Sequence, residues 1–563
     1  MTATNEFRVC PDTGFRVHLP AEALMKVNAV AAVVFLLIGG IFGLLVALTR
    51  WPAVHLLPAD LFYMALTAHG TDILLVWVIF FEVAVLYFAS SVLLNCRLAT
   101  PKLAWLAFAL MMIGALFANY VIVIGQASVM FTSYVPMRAH PLFYLGLILF
   151  AVGALIACGV FFGTLVIAKR ERTYEGSIPL VTFGAMVAAI IAVFTIASGA
   201  VILIPTLLWS VGIVSYIDPL LYKVIWWGMG HSSQQINVSA QIAIWYAIAA
   251  ILFGAKPLSE KVSRGAFLLY ILFLQIASAH HLLVEPGLSS EYKIWNTSYA
   301  MYLAVLASMI HGLTVPGAIE AAQRKKGYNK GLFEWLRKAP WGNPVFSGMF
   351  LSLVLFGFLG GITGVTMGVE QINLIIHNTI YVVGHFHGTV AVGTTLAFMA
   401  VSYFVVPFLW QKELVMPGLA KWQPYLFGIG MGFVAVFQMG AGTLGVPRRH
   451  WDMSFADAVL KFDFSAAAYL MMALAGIFSV IGSIGALAYI LIMVGTILFG
   501  EPKRAAAKAP APAQPSAAES VRHGSAGTLE VPGTFVLALV FLTTFVLYYY
   551  VNWKYLSELW LMK

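Results

Sequence analysis

The chain has 563 residues, of which 61% are hydrophobic and only 10% charged, and its formal net charge is +9. Because soluble globular proteins carry about 25% charged residues, this composition excludes a soluble enzyme, a disordered protein and a disulfide-stabilised scaffold. It is typical of a protein that crosses a membrane many times. The three cysteines, Cys10, Cys96 and Cys158, form no CxxC pair, which excludes a thiolate metal site.

Thirteen apolar runs follow a mixed, polar segment, residues 1–24, that lacks the pattern of a signal peptide. Each run is long enough to cross about 30 Å of hydrocarbon as a helix. We therefore predict an all-α fold, a polytopic membrane bundle of about 13 transmembrane helices. The predicted spans are 25–49, 61–94, 103–126, 140–168, 179–210, 221–254, 266–286, 296–320, 344–368, 374–408, 423–442, 465–499 and 531–552.

The domain organisation follows from the same pattern. Residues 25–500 are predicted to form a core of twelve helices, and residues 529–563 a further transmembrane helix. Between them, the Ala/Pro-rich residues 501–528 are typical of a disordered linker.

Basic residues predict the orientation of the bundle. Loops after even-numbered spans hold 20 of the 32 Lys and Arg residues, whereas loops after odd-numbered spans hold 7. This bias predicts a cytoplasmic N-terminus and, after thirteen spans, a C-terminus outside. The positive charge is thereby accounted for as an insertion signal, so no nucleic-acid partner is expected.

Six of the 13 histidines fall in the outer part of four predicted spans, at similar depth. An ionisable residue inside a membrane span is a functional candidate, and six imidazoles at one depth indicate a layer of metal sites. The six are His69, His231, His280, His281, His385 and His387. By contrast, His311 has no partner pattern and is expected to form an interhelical hydrogen bond.

Helical geometry assigns these histidines to separate sites. His385 and His387 point about 200° apart on a helix, so they cannot bind one ion together but can bind two different cofactors. One of them can pair with His69 as the two axial ligands of a low-spin haem, and the other would leave its haem iron five-coordinate. His280 and His281, about 100° apart, can share one ion. His231 then completes a three-histidine site with an open position.

Five stretches carry a family resemblance, and they extend in order through most of residues 20–500. The stretches are IDPLLYKVIWWGMGH (217–231), ASAHHLLVEPG (277–287), KAPWGNPVF (338–346), HNTIYVVGHFH (377–387) and GVPRR (445–449). On these stretches the chain resembles subunit I of the haem–copper oxidoreductases, most closely the B-family oxidases of thermophilic bacteria.

The resemblance implies a role for each histidine. His69 and His387 become the axial ligands of a low-spin haem of b type, and His385 the ligand of a high-spin haem of b or a type. One non-haem metal is implied at the remaining three positions. It is copper or iron, since three imidazoles suit both, and its ligands are His231, His280 and His281.

Further expectations come from the same resemblance. Arg448 and Arg449 are implied to bind haem propionates, because arginine offers fixed donor forks to such anions. His377 is implied to lie near the propionates of the high-spin haem, and Asn373 stands where the family usually has Asp.

The implied location is the cytoplasmic membrane of a bacterium or archaeon. Because the chain lacks a suitable cysteine pair, electrons are expected from cytochrome c or a subunit with a dinuclear copper centre.

One departure from the family concerns position 235. Most oxygen reductases of this type have a tyrosine four residues after the first metal histidine, whereas this chain has Gln235 in HSSQQINVSA (231–240). An amide forms hydrogen bonds but is no phenolic redox donor. Tyr270 lies about 15 Å along the helix from His280, and Tyr246 about 22 Å from His231, so neither is expected to replace it.

The inner proton path of the B family also differs in this chain. Ala307 and Ile310 stand where Ser and Thr are usual, and Ser308 and His311 lie beside them.

The changes at position 235 and in the proton path both favour reduction of nitric oxide to nitrous oxide, which needs no O–O cleavage. The alternative is a terminal oxidase that reduces O2 to water, with or without proton pumping. A transporter or channel explains the hydropathy but not the histidine pattern. The polar residues expected at the reacting centre are His231, Gln234, Gln235, Asn237 and Glu285.

Overall fold

The computed structural model describes residues 6–274, 277–455, 459, 462–503 and 530–558. Nearly all regular structure among them is helical. A short antiparallel hairpin, β1 (Phe7–Val9) and β2 (Arg16–His18), precedes the first helix. The predicted linker, residues 501–528, lies outside the described residues from 504 onward.

The described residues contain one helix at or near each of the thirteen predicted spans, although the seventh predicted span, 266–286, overlaps its α-helix only at residues 266–269. Several start with proline in the first turn, where the missing N–H costs nothing, and Asp218 caps α6 by accepting from Leu221 N at 2.7 Å. In chain order they are α1 (Leu19–Arg50), α2 (Ala59–Val92), α3 (Pro101–Val123), α4 (Pro141–Glu171), α5 (Leu180–Ser210), α6 (Pro219–Phe253), α7 (Glu260–Leu269), α8 (Ser290–Lys325), α9 (Pro344–Met367), α10 (Tyr381–Trp410), α11 (Pro417–Thr443), α12 (Ala466–Phe499) and α13 (Pro532–Ser557).

Within the described residues, 12 helices are long and apolar enough to cross a membrane. The predicted all-α membrane bundle is therefore confirmed. The helix outside this set is α7, which a π-helical turn, Tyr270–Leu274, extends to the edge of the described segment. The last helix, α13, is peripheral, because only 6% of its most apolar 18-residue stretch is buried against the rest of the protein.

Close helix pairs hold the bundle together. The helices α3 and α4, α5 and α6, and α11 and α12 pack along one another. Small residues permit the approach: a Cβ on Gly430 of α11 would lie 2.6 Å from the backbone nitrogen of Gly482 in α12. A Cβ on Gly114 of α3 would lie 2.4 Å from the carbonyl oxygen of Gly146 in α4.

Two predicted boundaries were wrong at functional positions. The histidine pair predicted on span 266–286 lies instead on a 3₁₀ turn, Ala279–His281. There His281 N donates to Ser278 O and Leu282 N to Ala279 O, so the chain is wound more tightly than an α-helix. The predicted span 374–408 breaks at Asn378, whose φ is +56°. The helix α10 consequently starts at Tyr381, and His385 and His387 lie in its first two turns.

π-helical segments occur beside two of the functional histidines. One, Asp72–Trp77, follows His69 in α2, and the other, His387–Thr395, begins at His387 in α10. Such insertions re-aim side chains and recur at functional sites.

Candidate metal centre

Three of the predicted ligands converge in the structure. One nitrogen from each of His231, His280 and His281 lies within 4.8 Å of the others. His231 comes from α6, and the other two come from the 3₁₀ turn after α7. The ring centroids of His231 and His280 are 4.5 Å apart, and those of His280 and His281 are 4.1 Å apart.

The donor chemistry of this cluster fits a metal ion. His280 Nδ1 is buried and has no hydrogen-bond partner among the described residues. A buried unpaired ring nitrogen is costly, and metal coordination removes that cost. Three imidazoles at metal–nitrogen distances of about 2.0–2.1 Å leave a fourth position open for substrate.

The 3₁₀ turn is held in place from two sides. The Asn296 side chain of α8 accepts from Ala279 N at 2.7 Å. Asn373 Nδ2 donates to Met367 O at 2.7 Å and makes a longer contact of 3.4 Å with His280 O. Asn373, which was predicted for the propionate region, therefore contacts the backbone of the predicted metal ligand His280.

An aromatic residue that the sequence analysis missed supports His281. The Trp227 ring stacks on the His281 ring with centroids 3.7 Å apart and planes 6° apart. Its Nε1 donates to Tyr134 OH at 2.8 Å. The WWGMGH string contained this residue, yet nothing in the sequence pairs it with His281.

Gln235, which stands where the family usually has tyrosine, contacts a histidine of the cluster. Gln235 Nε2 lies 3.1 Å from His231 Nε2, so the amide donates to the ring nitrogen. Gln234 lines the cavity that contains His281 and His385 but bonds to other partners. Its Nε2 donates to Ser233 Oγ at 3.2 Å, and its Oε1 accepts from Asn237 Nδ2 at 3.1 Å. The amide of Gln235 thus contacts the metal cluster directly, whereas Gln234 belongs to a neighbouring polar chain.

Neither alternative tyrosine bonds to the cluster histidines. Tyr246 OH hydrogen-bonds with His311 Nδ1 at 3.0 Å and with Thr314 Oγ1 at 2.6 Å. Tyr270 OH hydrogen-bonds with Ser308 at 2.8 Å. His311 is therefore an interhelical hydrogen-bonding residue, as its isolated position predicted.

His69 and His387 face each other across a cavity. Their ring centroids are 6.4 Å apart, with planes 15° apart. Nδ1 of His69 lies 2.9 Å from Gly39 O, and Nδ1 of His387 lies 2.9 Å from Val383 O. These bonds fix the tautomer that leaves Nε2 as a ligand. Two metal–nitrogen bonds of about 2.0 Å, with each nitrogen about 1 Å from its ring centre, span about 6 Å, so the pair fits an axially ligated haem.

This cavity, of about 290 Å³, is also lined by His281 and His385. His385 Nδ1 hydrogen-bonds with Thr363 Oγ1 at 2.9 Å, which again leaves Nε2 as a ligand. The close approach of α1 to His69 requires glycine, because a Cβ on Gly43 would lie 2.6 Å from the imidazole. The Nδ1 hydrogen bonds therefore leave Nε2 free to hold one haem at His69 and His387 and a second haem at His385.

Two arginines supply positive charge at the cavity. Arg448 and Arg449 line it from the loop between α11 and α12. Burial, with the charge of Arg449, lowers the pKa of Arg448 to about 9. Neither guanidinium forms an ion pair within the described residues, so both are available to the carboxylates of a haem.

Two further predicted residues lie in charged surroundings. Both oxygens of Glu285 accept from Lys223 Nζ at 2.9 Å. This ion pair engages the carboxylate, and the role of Glu285 at the reacting centre stays a prediction. His377 lies between α9 and α10, where burial lowers its pKa to about 4 although the nearby Glu285 carboxylate opposes the shift.

Known proteins show similarity over nearly the whole chain. Residues 23–478 match the family described as cytochrome c and quinol oxidase polypeptide I. Cytochrome c oxidase subunit 1 of Thermus thermophilus is 30% identical over 493 residues, 85% of each chain. Quinol oxidase subunit 1 of Bacillus subtilis is 22% identical over 472 residues, 78% of this chain and 68% of that one. A cryo-EM structure of a heme-copper terminal oxidase dimer has a TM-score of 0.81 at 26% identity, covering 94% of this chain and 92% of that chain.

Proposed function

Because the chain belongs to the cytochrome c and quinol oxidase polypeptide I family, we propose that it is the catalytic subunit of a membrane respiratory oxidoreductase that reduces nitric oxide. The reaction takes two NO, two electrons and two protons to N2O and water. Its location is the cytoplasmic membrane of a bacterium or archaeon, with the N-terminus in the cytoplasm. Electrons come from cytochrome c or from a partner subunit with a dinuclear copper centre.

The observation that carries this proposal is the contact between Gln235 and His231. An amide, not a phenol, lies 3.1 Å from His231 Nε2, at the position where oxygen reductases of this type usually have tyrosine. An amide supplies neither an electron nor an acidic proton. Coupling of two NO molecules needs neither O–O cleavage nor a phenolic electron, and it benefits from two metals that hold both reactants together.

A second candidate function, reduction of O2 to water, is supported by the names of the relatives. The Thermus and Bacillus proteins are named oxidases, and so is the structural neighbour. The names therefore favour this second candidate, and the residues around His231 favour the first. Under the second candidate another residue must donate the electron that the usual tyrosine supplies. The hydroxyl of Tyr246, however, bonds to His311, and that of Tyr270 bonds to Ser308, so neither contacts the metal cluster.

The chain's own groups prepare the reacting centre in either case. When bound, the two haems and the non-haem metal supply electron transfer and coordination sites for the gas. The Nδ1 hydrogen bonds of His69, His387 and His385 preset their tautomers before any ligand arrives. Trp227 fixes the plane of His281, and Gln235 orients the ring of His231.

We expect the purified complex to consume NO quickly, form N2O and take up O2 at least tenfold more slowly with the same reduced donor. Both gases should be measured in one electrode chamber, with N2O quantified separately. The His280→Ala variant, which lacks a metal ligand, gives the background rate. Fast O2 uptake with slow NO loss would overturn the first candidate and establish the second.

A further inference from the structure

A carboxylic acid inside the membrane has no role in the site described above. Glu82 lies within α2, thirteen residues after the proposed ligand His69. Its Oε1 is buried and has no hydrogen-bond partner among the described residues. Burial of an unpaired charged group is expensive, and ionisable residues within membrane spans commonly mark proton or ion pathways.

Glu82 faces a second cavity, of about 170 Å³, between α2, α4, α5 and α6. On α2 its wall extends from Leu74 to Ala89, about 22 Å at the helical rise. Since one water occupies about 30 Å³ of liquid, the volume is enough for about five waters. Among the described residues of the wall, Glu82 is the only acid, and Cys158 of α4 is the other ionisable group.

Polar groups of α6 also line this cavity. Ser233 and Asn237, which follow His231 on α6, line it together with Gly230 and Trp226. Gly230 and Trp226 also line the larger cavity that contains the haem-ligand histidines. The two cavities therefore share a wall one residue before a proposed metal ligand.

A chain of side-chain hydrogen bonds crosses this shared wall. Asn237 Nδ2 donates to Gln234 Oε1 at 3.1 Å, and Gln234 Nε2 donates to Ser233 Oγ at 3.2 Å. Asn237 and Ser233 face the Glu82 cavity, whereas Gln234 faces the larger one with His281 and His385. These three residues give waters in the two cavities a common set of donors and acceptors.

We propose that Glu82 is an internal proton carrier that supplies the reacting centre through this cavity. The proposal rests on the proposed function only in requiring a reduction that consumes protons, as both NO and O2 reduction do. The O–H bond of Glu82 breaks as its proton passes to water held by Ser233 and Asn237. The resulting carboxylate takes a new proton from the side where α2 ends at Val92, and no electrons move through it. Such a route compensates for the hydroxyls missing at Ala307 and Ile310.

The test uses the intact complex with three variants. Glu82→Gln keeps the shape but carries no acidic proton, and Glu82→Asp keeps the acid on a shorter side chain. Cys158→Ser, in the same cavity wall, is the matched control. We expect E82Q to lower turnover at least tenfold, since positioned proton donors contribute about 100-fold or more. We expect E82D to recover part of that rate, and C158S to resemble the unmodified complex.

Two readouts separate proton delivery from a structural role. Reduced-minus-oxidised infrared spectra should contain a carboxylic-acid C=O band that shifts in D2O and disappears in E82Q. The rate of electron entry into the low-spin haem should be the same in all variants. Normal turnover in E82Q, an equal loss in C158S, or no change in the C=O region would each overturn the proposal. If the unmodified complex consumes neither gas, the proposed function fails, while the infrared band still decides the role of Glu82.

Discussion

Replacement of His280 by alanine is expected to abolish turnover and leave the low-spin haem spectrum intact. His280 offers one of the three converging ring nitrogens. Without it only two nitrogen ligands remain, fewer than the three protein ligands of a catalytic metal site of this kind. Loss of an outer-shell partner alone lowers metal affinity by about 10–100-fold, so loss of a ligand should exceed that. His69 and His387 are positioned by Gly39 and Val383, which do not depend on the 3₁₀ turn.

Three measurements on the purified complex check this expectation: non-haem metal per haem by elemental analysis, the optical spectrum of the low-spin haem, and gas consumption. The matched control is His311→Ala, because His311 is also a buried histidine but bonds to Tyr246 instead of the cluster. H311A should keep its non-haem metal. Full metal content together with full activity in H280A would contradict the assignment of the three-histidine site.

The helices and the grouping of the histidines could be predicted because both follow from simple periodicities. Runs of about 20 apolar residues are required by the thickness of the membrane, and twelve of the thirteen predicted spans correspond to described helices long enough to cross it. The spacing of His385 and His387 separates their ring directions on any helix. In the structure their Nδ1 atoms bond to different partners, Thr363 and Val383.

Long-range contacts account for what the sequence did not predict. The 3₁₀ turn at His280 depends on Asn296, which lies on another helix. The pairing of Glu285 with Lys223 joins residues 62 positions apart, so spacing alone gave no sign that this carboxylate is engaged. Glu82 was overlooked for a different reason: the three acids of the 34-residue helix α2 leave its hydropathy high, and only the cavity beside Glu82 indicates a role.

Replacement of His69 by alanine is expected to remove the low-spin haem signature and lower donor-driven turnover at least a hundredfold. The facing rings of His69 and His387, 6.4 Å apart, leave room for one iron between their Nε2 atoms. With one ring gone, the iron loses the second axial ligand that makes it a saturated electron-transfer centre. The three-histidine cluster lies on α6 and the 3₁₀ turn and should keep its metal.

Electron paramagnetic resonance of the oxidised complex measures the bis-imidazole signal directly, and elemental analysis measures the non-haem metal in the same sample. H311A again serves as the control, because it removes a buried imidazole that lies outside the pair and should keep the signal. A bis-imidazole signal that survives in H69A would show that another histidine ligates this iron. Loss of the signal together with the non-haem metal would show that His69 acts through the fold. Loss of the signal alone, with the metal retained, is the result that the separate hydrogen bonding of the two sites requires.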